Sequence, residues 1–248
     1  MRTAPISRLV AARVAALQRF VGRHPALALT LAALLALALG MTAAAASIYD
    51  AVTEAEGVAG LDQPVLDFAV AHRTPALDDA VTTFTDLGGS TFSPLIAAVA
   101  AVGIAVAWRR WSPVVLMALA TVGSLLMTVV GKAVVGRVRP PAELAVPPLE
   151  SSFSFPSGHT LNTLVVAGVV AYLLIERCRT RWMRVVLLLV TGGYAVAMGL
   201  SRVFLGHHWL TDVLVAWALG LAWLALVITG HRVWLLRTGH HPKDVDAA

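Results

Sequence analysis

Long apolar stretches separated by short polar connections dominate the chain. Their approximate limits are residues 25–47, 91–108, 113–135, 159–175, 185–204 and 209–229. Each is close to the roughly 17–25 residues that a helix needs to cross about 30 Å of hydrocarbon. Because a segment in lipid must satisfy its own backbone hydrogen bonds, these stretches are predicted as helices. The pattern predicts an all-α, polytopic membrane protein with six transmembrane helices.

The first apolar stretch also allows a second interpretation. Five arginines precede it and alanines occupy positions 43–46, which resembles a secretory signal peptide with a small-residue cleavage site. A length of about 20 apolar residues favours an uncleaved anchor. We therefore expect a basic N-terminal segment over residues 1–24, a membrane domain over residues 25–230 and a C-terminal tail over residues 231–248.

A long connection joins the first and second spans. Asp62 starts a short helical pattern, and Leu77 and Phe84 belong to apolar positions that recur at helical spacing before Gly88 ends the run. The segment is interpreted as an amphipathic helix lying on the outer leaflet. A helix packed against the protein's own bundle is an equally good interpretation.

Composition supports membrane insertion. Apolar residues make up 58% of the chain and charged residues 13%, against about 45–50% and about 25% in soluble domains. The excess excludes a soluble, disordered or collagen-like protein, and it leaves no soluble domain to carry a nucleic-acid site despite the net charge of +5. The single cysteine, Cys178, excludes an internal disulfide and a cysteine-based metal site.

The distribution of basic residues predicts the orientation. Fourteen Lys and Arg residues fall on the side that holds both termini, and five fall on the other side. Those five are Arg73, Lys132, Arg137, Arg139 and Arg202. The positive-inside rule therefore places both termini in the cytoplasm and the odd-numbered connections outside.

Three polar patches lie at the predicted outer ends of spans three to six. They are Lys132 with Arg139-Pro140; Pro156-Ser157-Gly158-His159; and Ser201-Arg202 followed by His208 and Asp212. Each cation alone could snorkel to the interface. Three convergent cations without matching acids indicate an anion site, in which arginine matches phosphate oxygens bidentately. Ser157 and Gly158 precede the fourth span, and free N–H groups at a helix start favour phosphate, although Ser157 would also suit a plain helix cap.

His208 and Asp212 are four residues apart at the start of the sixth span, so they share one helix face. A carboxylate that binds one imidazole nitrogen leaves the other nitrogen free as a nucleophile. His159 comes from another helix and could protonate a leaving group. His207 lacks the spacing to Asp212 and is assigned no role.

Together the three patches resemble the tripartite signature of the type 2 phosphatidic acid phosphatases, the PAP2 superfamily. The signature reads Lys, six residues, Arg-Pro; Pro-Ser-Gly-His; and Ser-Arg, five residues, His, three residues, Asp. This sequence matches it at every position between Lys132 and Asp212. The six-span layout also resembles the membrane branch of this superfamily.

The resemblance implies a mechanism. His208 would attack phosphorus and form a phosphohistidine, Asp212 would orient it, and His159 would protonate the leaving group and then activate water. The phosphoryl oxygens would be held by Lys132, Arg139, Ser157, Gly158 and Arg202. The cations would neutralise the developing charge, so no metal or cofactor is expected.

The expected substrate is a phosphorylated lipid of the outer leaflet, since the site would lie at the outer membrane–water boundary. Candidates are undecaprenyl diphosphate, phosphatidic acid and phosphatidylglycerophosphate. A composition rich in Ala, Arg and Val looks bacterial, which favours the inner (plasma) membrane with a periplasmic or extracellular site. The oligomeric state is left open.

Three other functions remain open at this point. A haem protein could use His159 and His208 as axial ligands, but it leaves the cations unexplained. A lipid-phosphate binder or transporter could use the anion site without chemistry. A phosphoryl transferase of the same fold would pass the group to another lipid.

Overall fold

The computed structural model describes residue 22 and residues 25–238, and the regular elements in that part of the chain are helices. In chain order these are α1 (Pro25–Glu54), α2 (Asp62–Ala71), α3 (Pro75–Asp86), α4 (Phe92–Trp108), α5 (Ser112–Val135), α6 (Gly158–Ile175), α7 (Arg181–Phe204) and α8 (Leu210–Thr238), with short 3₁₀ turns at Gly57–Leu61 and Ala142–Leu144. Apart from residue 22, the predicted basic segment over residues 1–24 lies outside the described residues, as does the tail after Thr238.

Five of these helices, α1 and α5 to α8, are long and apolar enough to cross a membrane. Helix α4 is apolar but has only 17 residues. At 1.5 Å per residue it is about 26 Å long, against about 30 Å of hydrocarbon. Each predicted span thus corresponds to a helix, and the crossing of the membrane by α4 stays a prediction.

The first and last of the described helices extend beyond their apolar stretches. Helix α1 continues to Glu54 and α8 continues to Thr238. The apolar stretch shows only which part of a helix can lie in lipid. The helix itself continues until its backbone hydrogen bonding is interrupted. For α1 the interruption follows at once, because Ala55 and Gly57 have φ values of 57° and 56°.

The connection between α1 and α4 forms two helices, α2 and α3. Thr74 caps α3 by accepting a hydrogen bond from the Leu77 N–H at 3.3 Å, and proline follows it at the first helical position. Helix α3 packs against α7, where the Phe84 and Tyr194 rings meet edge to face at 5.8 Å. These contacts agree with packing on the bundle, and the location at the outer leaflet stays a prediction.

Helix α6 lies at the centre of the bundle and packs against α5, α7 and α8. Its side chains Leu161, Val165 and Val169 are fully buried. Small residues let α6 and α8 approach closely, since a Cβ atom on Gly220 would lie 2.8 Å from Leu164. Because both helices begin at the same end of the bundle, this packing fixes the separation of the polar groups that their first turns carry.

The opposite end of α6 carries a different set of charges. There the Arg177 guanidinium lies 4.8 Å from the Trp108 ring centroid, and Arg232 pairs with Glu176 at 2.6 Å. The two ends of the bundle are thus chemically distinct, with the predicted site residues gathered at the other one.

Candidate active site

The ends of α5 and α7 meet the starts of α6 and α8 at one end of the bundle. The connection over residues 136–157 folds across them and is fixed by backbone hydrogen bonds, among them Ser154 N–H to Arg137 C=O at 2.8 Å and Val146 N–H to Leu205 C=O at 2.9 Å. The structure brings all eight predicted site residues to this end: Lys132, Arg139, Ser157, Gly158, His159, Arg202, His208 and Asp212.

The pair formed by His208 and Asp212 is fully buried. The side chains are 1% and 0% exposed, and His208 Nδ1 lies 3.4 Å from Asp212 Oδ2. This separation is slightly longer than an ordinary hydrogen bond. Asp212 is held in place independently, since its Oδ2 accepts the Trp209 N–H at 2.9 Å and the Ser154 hydroxyl. The carboxylate is therefore fixed before any substrate arrives.

A tight turn between α7 and α8 presents His208. Gly206 has a φ of +73°, in the region that side chains disfavour, and the Leu144 carbonyl oxygen would lie 2.5 Å from a Cβ atom built there. The neighbouring His207 hydrogen-bonds the Val146 carbonyl through Nε2 at 2.7 Å. His207 thus fastens the connection, and the sequence assigned it no chemistry.

The second nitrogen of His208 faces Arg139. Arg139 Nη1 lies 3.2 Å from His208 Nε2, so the arginine donates to a lone pair on that nitrogen. Burial lowers the pKa of His208 to about 4, although Asp212 acts in the opposite direction. His208 is therefore neutral near pH 7, with Asp212 beside Nδ1 and its Nε2 lone pair directed at the cation cluster.

A carboxylate occupies the cation cluster. Glu150 Oε2 pairs with Arg139 Nη2 at 2.7 Å, and Glu150 Oε1 pairs with Arg202, which is 2% exposed. The expectation of three cations without matching acids was therefore wrong. Glu150 lies in an irregular connection, so no periodic pattern could place it here.

The two arginines keep Glu150 ionised. Burial would raise the pKa of Glu150, but Arg202 and Arg139 outweigh it and lower that pKa to about 2. The carboxylate therefore stays charged across the ordinary pH range. A planar anion with two oxygens already fits between these guanidinium groups, which is the geometry that a phosphoryl group would use.

Lys132 approaches the cluster from the last turn of α5. Its ammonium group donates to the Ser152 hydroxyl at 3.2 Å and to the Phe153 carbonyl. Arg139 binds the same strip of chain, since its Nε donates to the Ser152 carbonyl at 2.6 Å. Both cations are thus held by neutral oxygens as well as by charge.

His159 occupies the first turn of α6 at the edge of the cluster. Its Nδ1 lies 4.0 Å from Glu150 Oε1, and its side chain is 20% exposed. Glu150 therefore lies between His159 and both arginines without a hydrogen bond to His159, while Arg139 contacts His208. The two histidines lie on the two sides of one group of cations.

Ser157 and Gly158 form the start of α6. Ser157 occupies the helix-cap position without a capping side-chain hydrogen bond, and its hydroxyl accepts from Thr160 at 2.9 Å. Its own N–H donates to the Asp212 carbonyl at 3.3 Å. The first N–H groups of α6 have no partner within the helix by position, so they are available to an anion.

Three further residues contact Asp212 or its neighbours and were not assigned a role from the sequence. Arg137 Nη1 donates to Asp212 Oδ1 at 2.7 Å, Arg137 Nη2 pairs with Asp62 at 2.7 Å, and Ser154 donates to Asp212 Oδ2. The sequence singled out Arg137 only as one of five basic residues predicted on the outer side of the membrane. Asp62 lies 75 residues before Arg137, so its contact could not be read from local spacing.

In the part of the chain that the structure describes, no group of three or more His, Cys, Asp or Glu side chains is arranged to hold a metal ion. The acids of the site are each paired with arginine.

The chain is similar in sequence to proteins of known family. The family model described as the PAP2 superfamily matches residues 111–235, which contain all eight site residues. Phosphatidylglycerophosphatase B of Bacillus subtilis is 36% identical over 183 residues, covering 73% of this chain and 88% of the relative. The undecaprenyl-diphosphatase of Sulfolobus acidocaldarius is 32% identical over 109 residues, covering 42% of this chain and 48% of that protein.

A solved structure has the same fold. The transmembrane PAP2-type phosphatidylglycerolphosphate phosphatase of Bacillus subtilis superposes with a TM-score of 0.72 at 30% identity, covering 79% of this chain and 96% of that one. The chain belongs to the PAP2 superfamily, as the matched family region, the identity over most of the Bacillus relative and the shared fold show.

Proposed function

We propose that this membrane-embedded phosphatase removes a phosphate group from a lipid phosphate or diphosphate through a phosphohistidine on His208, at the outer face of the membrane. One observation carries the proposal. The His208 Nε2 lone pair points at Arg139, at 3.2 Å, while Asp212 lies beside Nδ1. A nucleophile thus faces a group of cations that suits the atom it would attack.

In the first step a bond forms between His208 Nε2 and phosphorus, and the bond from phosphorus to the leaving oxygen breaks. Protonated His159 gives its proton to the leaving oxygen, so the lipid product leaves as a neutral alcohol or as a lipid with one phosphate fewer. The imidazole gains positive charge during attack, and the ionised Asp212 stabilises that charge.

In the second step water hydrolyses the phosphohistidine. Neutral His159 takes a proton from the water, the oxygen–phosphorus bond forms, and the bond from Nε2 to phosphorus breaks. Inorganic phosphate and the free imidazole remain, so His159 and His208 return to their starting states.

The phosphoryl oxygens would be held by Arg139, Arg202, Lys132 and the N–H groups at the start of α6, with Ser157 and Gly158 at that start. These groups already bind carbonyl oxygens and the Glu150 carboxylate, and they would exchange these partners for phosphate. Fixed positive groups stabilise a phosphoryl transition state because they require no reorganisation during the reaction. No resident metal is part of the proposal.

The relatives support a lipid phosphate as substrate. Their names specify phosphatidylglycerophosphate and undecaprenyl diphosphate, and phosphatidic acid has the same kind of phosphate ester. The site lies where four apolar helices end, so the headgroup could reach it while the tails stay in lipid. We expect a bacterial plasma membrane, cytoplasmic termini flanking the membrane domain at residues 25–230, and an outward site, as the 14 to five distribution of basic residues predicts.

The test is phosphate release by detergent-purified protein in EDTA. The substrates are undecaprenyl diphosphate, phosphatidic acid, phosphatidylglycerophosphate and a water-soluble phosphate ester. The variant His208→Asn removes the nucleophile, and His72→Asn is the matched control because His72 is exposed at the end of α2.

Release that survives EDTA, persists in His72→Asn and falls at least about 10³-fold in His208→Asn supports the proposal. Retained activity in His208→Asn would refute the phosphohistidine. Transfer of the phosphate to another lipid would instead identify a transferase, and lipid binding without turnover would identify a binder or transporter.

A further inference from the structure

We propose that Asp62 and Arg137 form a positioning pair for the nucleophile, in which Arg137 fixes Asp212 and Asp62 cancels the charge of Arg137. The inference rests on the proposed function, since it assigns this pair to the same His208 and Asp212. Neither residue belongs to the three patches that carry the family resemblance.

Arg137 holds Asp212 from the side away from His208. Its Nη1 donates to Asp212 Oδ1 at 2.7 Å, while Oδ2 is the oxygen near His208. Nη1 also lies 2.7 Å from the Thr211 hydroxyl oxygen. The Trp209 ring covers the guanidinium, with its centroid 5.6 Å away. Asp212 therefore cannot turn without breaking a charge-assisted hydrogen bond.

Asp62 completes the arrangement from a distant part of the chain. Its Oδ2 pairs with Arg137 Nη2 at 2.7 Å and accepts the Thr211 hydroxyl at 2.7 Å, and its Oδ1 accepts the Thr211 N–H at 2.8 Å. The residue is 5% exposed. Buried acids are rare unless they are paired, and here each oxygen has a partner. Asp62 thus ties the start of α2 to the first turn of α8.

The charges in this network explain why a second carboxylate is present. Asp212 alone carries one negative charge, which stabilises the imidazole as it becomes positive. Arg137 fixes Asp212 but would cancel much of that charge at short range. Asp62 neutralises Arg137 in turn, so the three side chains keep a net charge of −1 beside His208.

His208 also interacts electrostatically with other titratable groups, which every variant must leave in place. They are Asp212 on α8, Arg202 on α7, His159 on α6, and Arg139 and Glu150 on the connection between α5 and α6. The proposal therefore predicts that kcat and the His208 titration midpoint change because the charge of Asp62 is removed, and not because these other groups rearrange.

The test compares Asp62→Asn with the double variant Asp62→Asn/Arg137→Gln. The single variant leaves Arg137 unbalanced, and the double variant removes both charges. Asp67→Asn is the control, since Asp67 lies exposed on the same helix and hydrogen-bonds only locally to Gln63 at 2.8 Å. The readouts are the kcat and KM for lipid turnover and the midpoint of the His208 titration followed by histidine NMR, with His208→Asn to assign the signal.

Asp62→Asn should lower kcat by at least about tenfold and lower the titration midpoint by roughly 0.5–1 pH unit, because removal of a nearby negative charge disfavours the protonated imidazole. KM should change little, because Arg139 and Arg202 are untouched. The double variant should recover most of both effects, although it loses more hydrogen bonds.

A merely structural role would make the double variant worse than the single one, and that result would overturn the proposal. So would an Asp62→Asn protein that matches the Asp67→Asn control. If the double variant does not fold, the comparison of Asp62→Asn with the Asp67→Asn control decides: a lower kcat and a lower His208 titration midpoint in Asp62→Asn alone support the proposal, and equal values overturn it. The NMR titration needs no turnover, so an inactive wild type would refute the proposed function while the charge effect on His208 is still measured.

Discussion

In the proposed function the phosphoryl group takes the place between Arg139 and Arg202 where the Glu150 carboxylate lies, so phosphate would have to displace that carboxylate. We predict that Glu150→Gln binds phosphate more tightly than the wild type does. Glutamine keeps the size of the side chain and removes its charge, so the two arginines lose their internal anion. The remaining cations would then face the substrate without competition.

The size of the effect follows from how strongly the site favours the charged carboxylate. The pKa of Glu150 falls from 4.5 to about 2, with Arg202 and Arg139 outweighing the effect of burial. Each pKa unit corresponds to about 1.4 kcal/mol, so the preference is about 3 kcal/mol. The side chain is 29% exposed, and solvent screening reduces what is released on substitution. We expect a gain in phosphate affinity of about 10- to 100-fold.

The assay is inhibition of lipid turnover by inorganic phosphate, with the lipid product measured by mass spectrometry. The inhibition constant is the readout because it does not depend on proton transfer by His159, which lies 4.0 Å from Glu150. Glu143→Gln is the matched control, since it removes one charge from an exposed position in the same connection. An inhibition constant in Glu150→Gln that equals or exceeds the wild-type value would refute the reasoning.

Four further predictions concern single residues. His159→Ala should lower kcat at least about 10³-fold because it removes the proposed proton donor, and single-turnover measurements check this. Arg139→Lys keeps the positive charge but should lower kcat/KM by at least about tenfold, since an ammonium group cannot donate two parallel hydrogen bonds as a guanidinium does. Rates at saturating and at limiting lipid concentration separate the effect on KM from that on kcat. Because burial lowers the pKa of His208 to about 4, the His208 imidazole should be neutral from pH 7 down to about pH 5, and the midpoint of its NMR titration should lie near pH 4. Gly206→Ala should lower the thermal unfolding midpoint, since a Cβ atom there would lie 2.5 Å from the Leu144 oxygen at a φ of +73°.

Much of the candidate site follows from local spacing and helix topology. The separation of four residues predicted that His208 and Asp212 lie close together, and His208 Nδ1 lies 3.4 Å from Asp212 Oδ2. The predicted shared helix face was wrong, because α8 begins at Leu210 and His208 lies in the turn before it. Consecutive spans alternate in direction, so polar residues at alternate ends had to meet at one surface. The apolar stretches located the long helices for the same reason, since lipid demands continuous apolar length.

The parts that the sequence could not predict depend on irregular chain or distant contacts. Glu150 lies in a connection without periodicity, and its pairing with Arg139 and Arg202 depends on how that connection folds. The Thr211 N–H binds Asp62, 149 residues earlier in the chain. By contrast, the end of α4 at Trp108 coincides with the predicted end of its apolar stretch, residues 91–108.

The span of chain that contributes to Asp212 has a consequence for biosynthesis. Chains are made and inserted from the N-terminus, whereas Asp62, Arg137 and Ser154 each bind a residue of α8, the last of the described helices. If the proposed mechanism holds, a nascent or truncated chain without α8 lacks Asp212 and would be inert toward membrane lipids, so hydrolysis would begin only when the complete bundle has assembled.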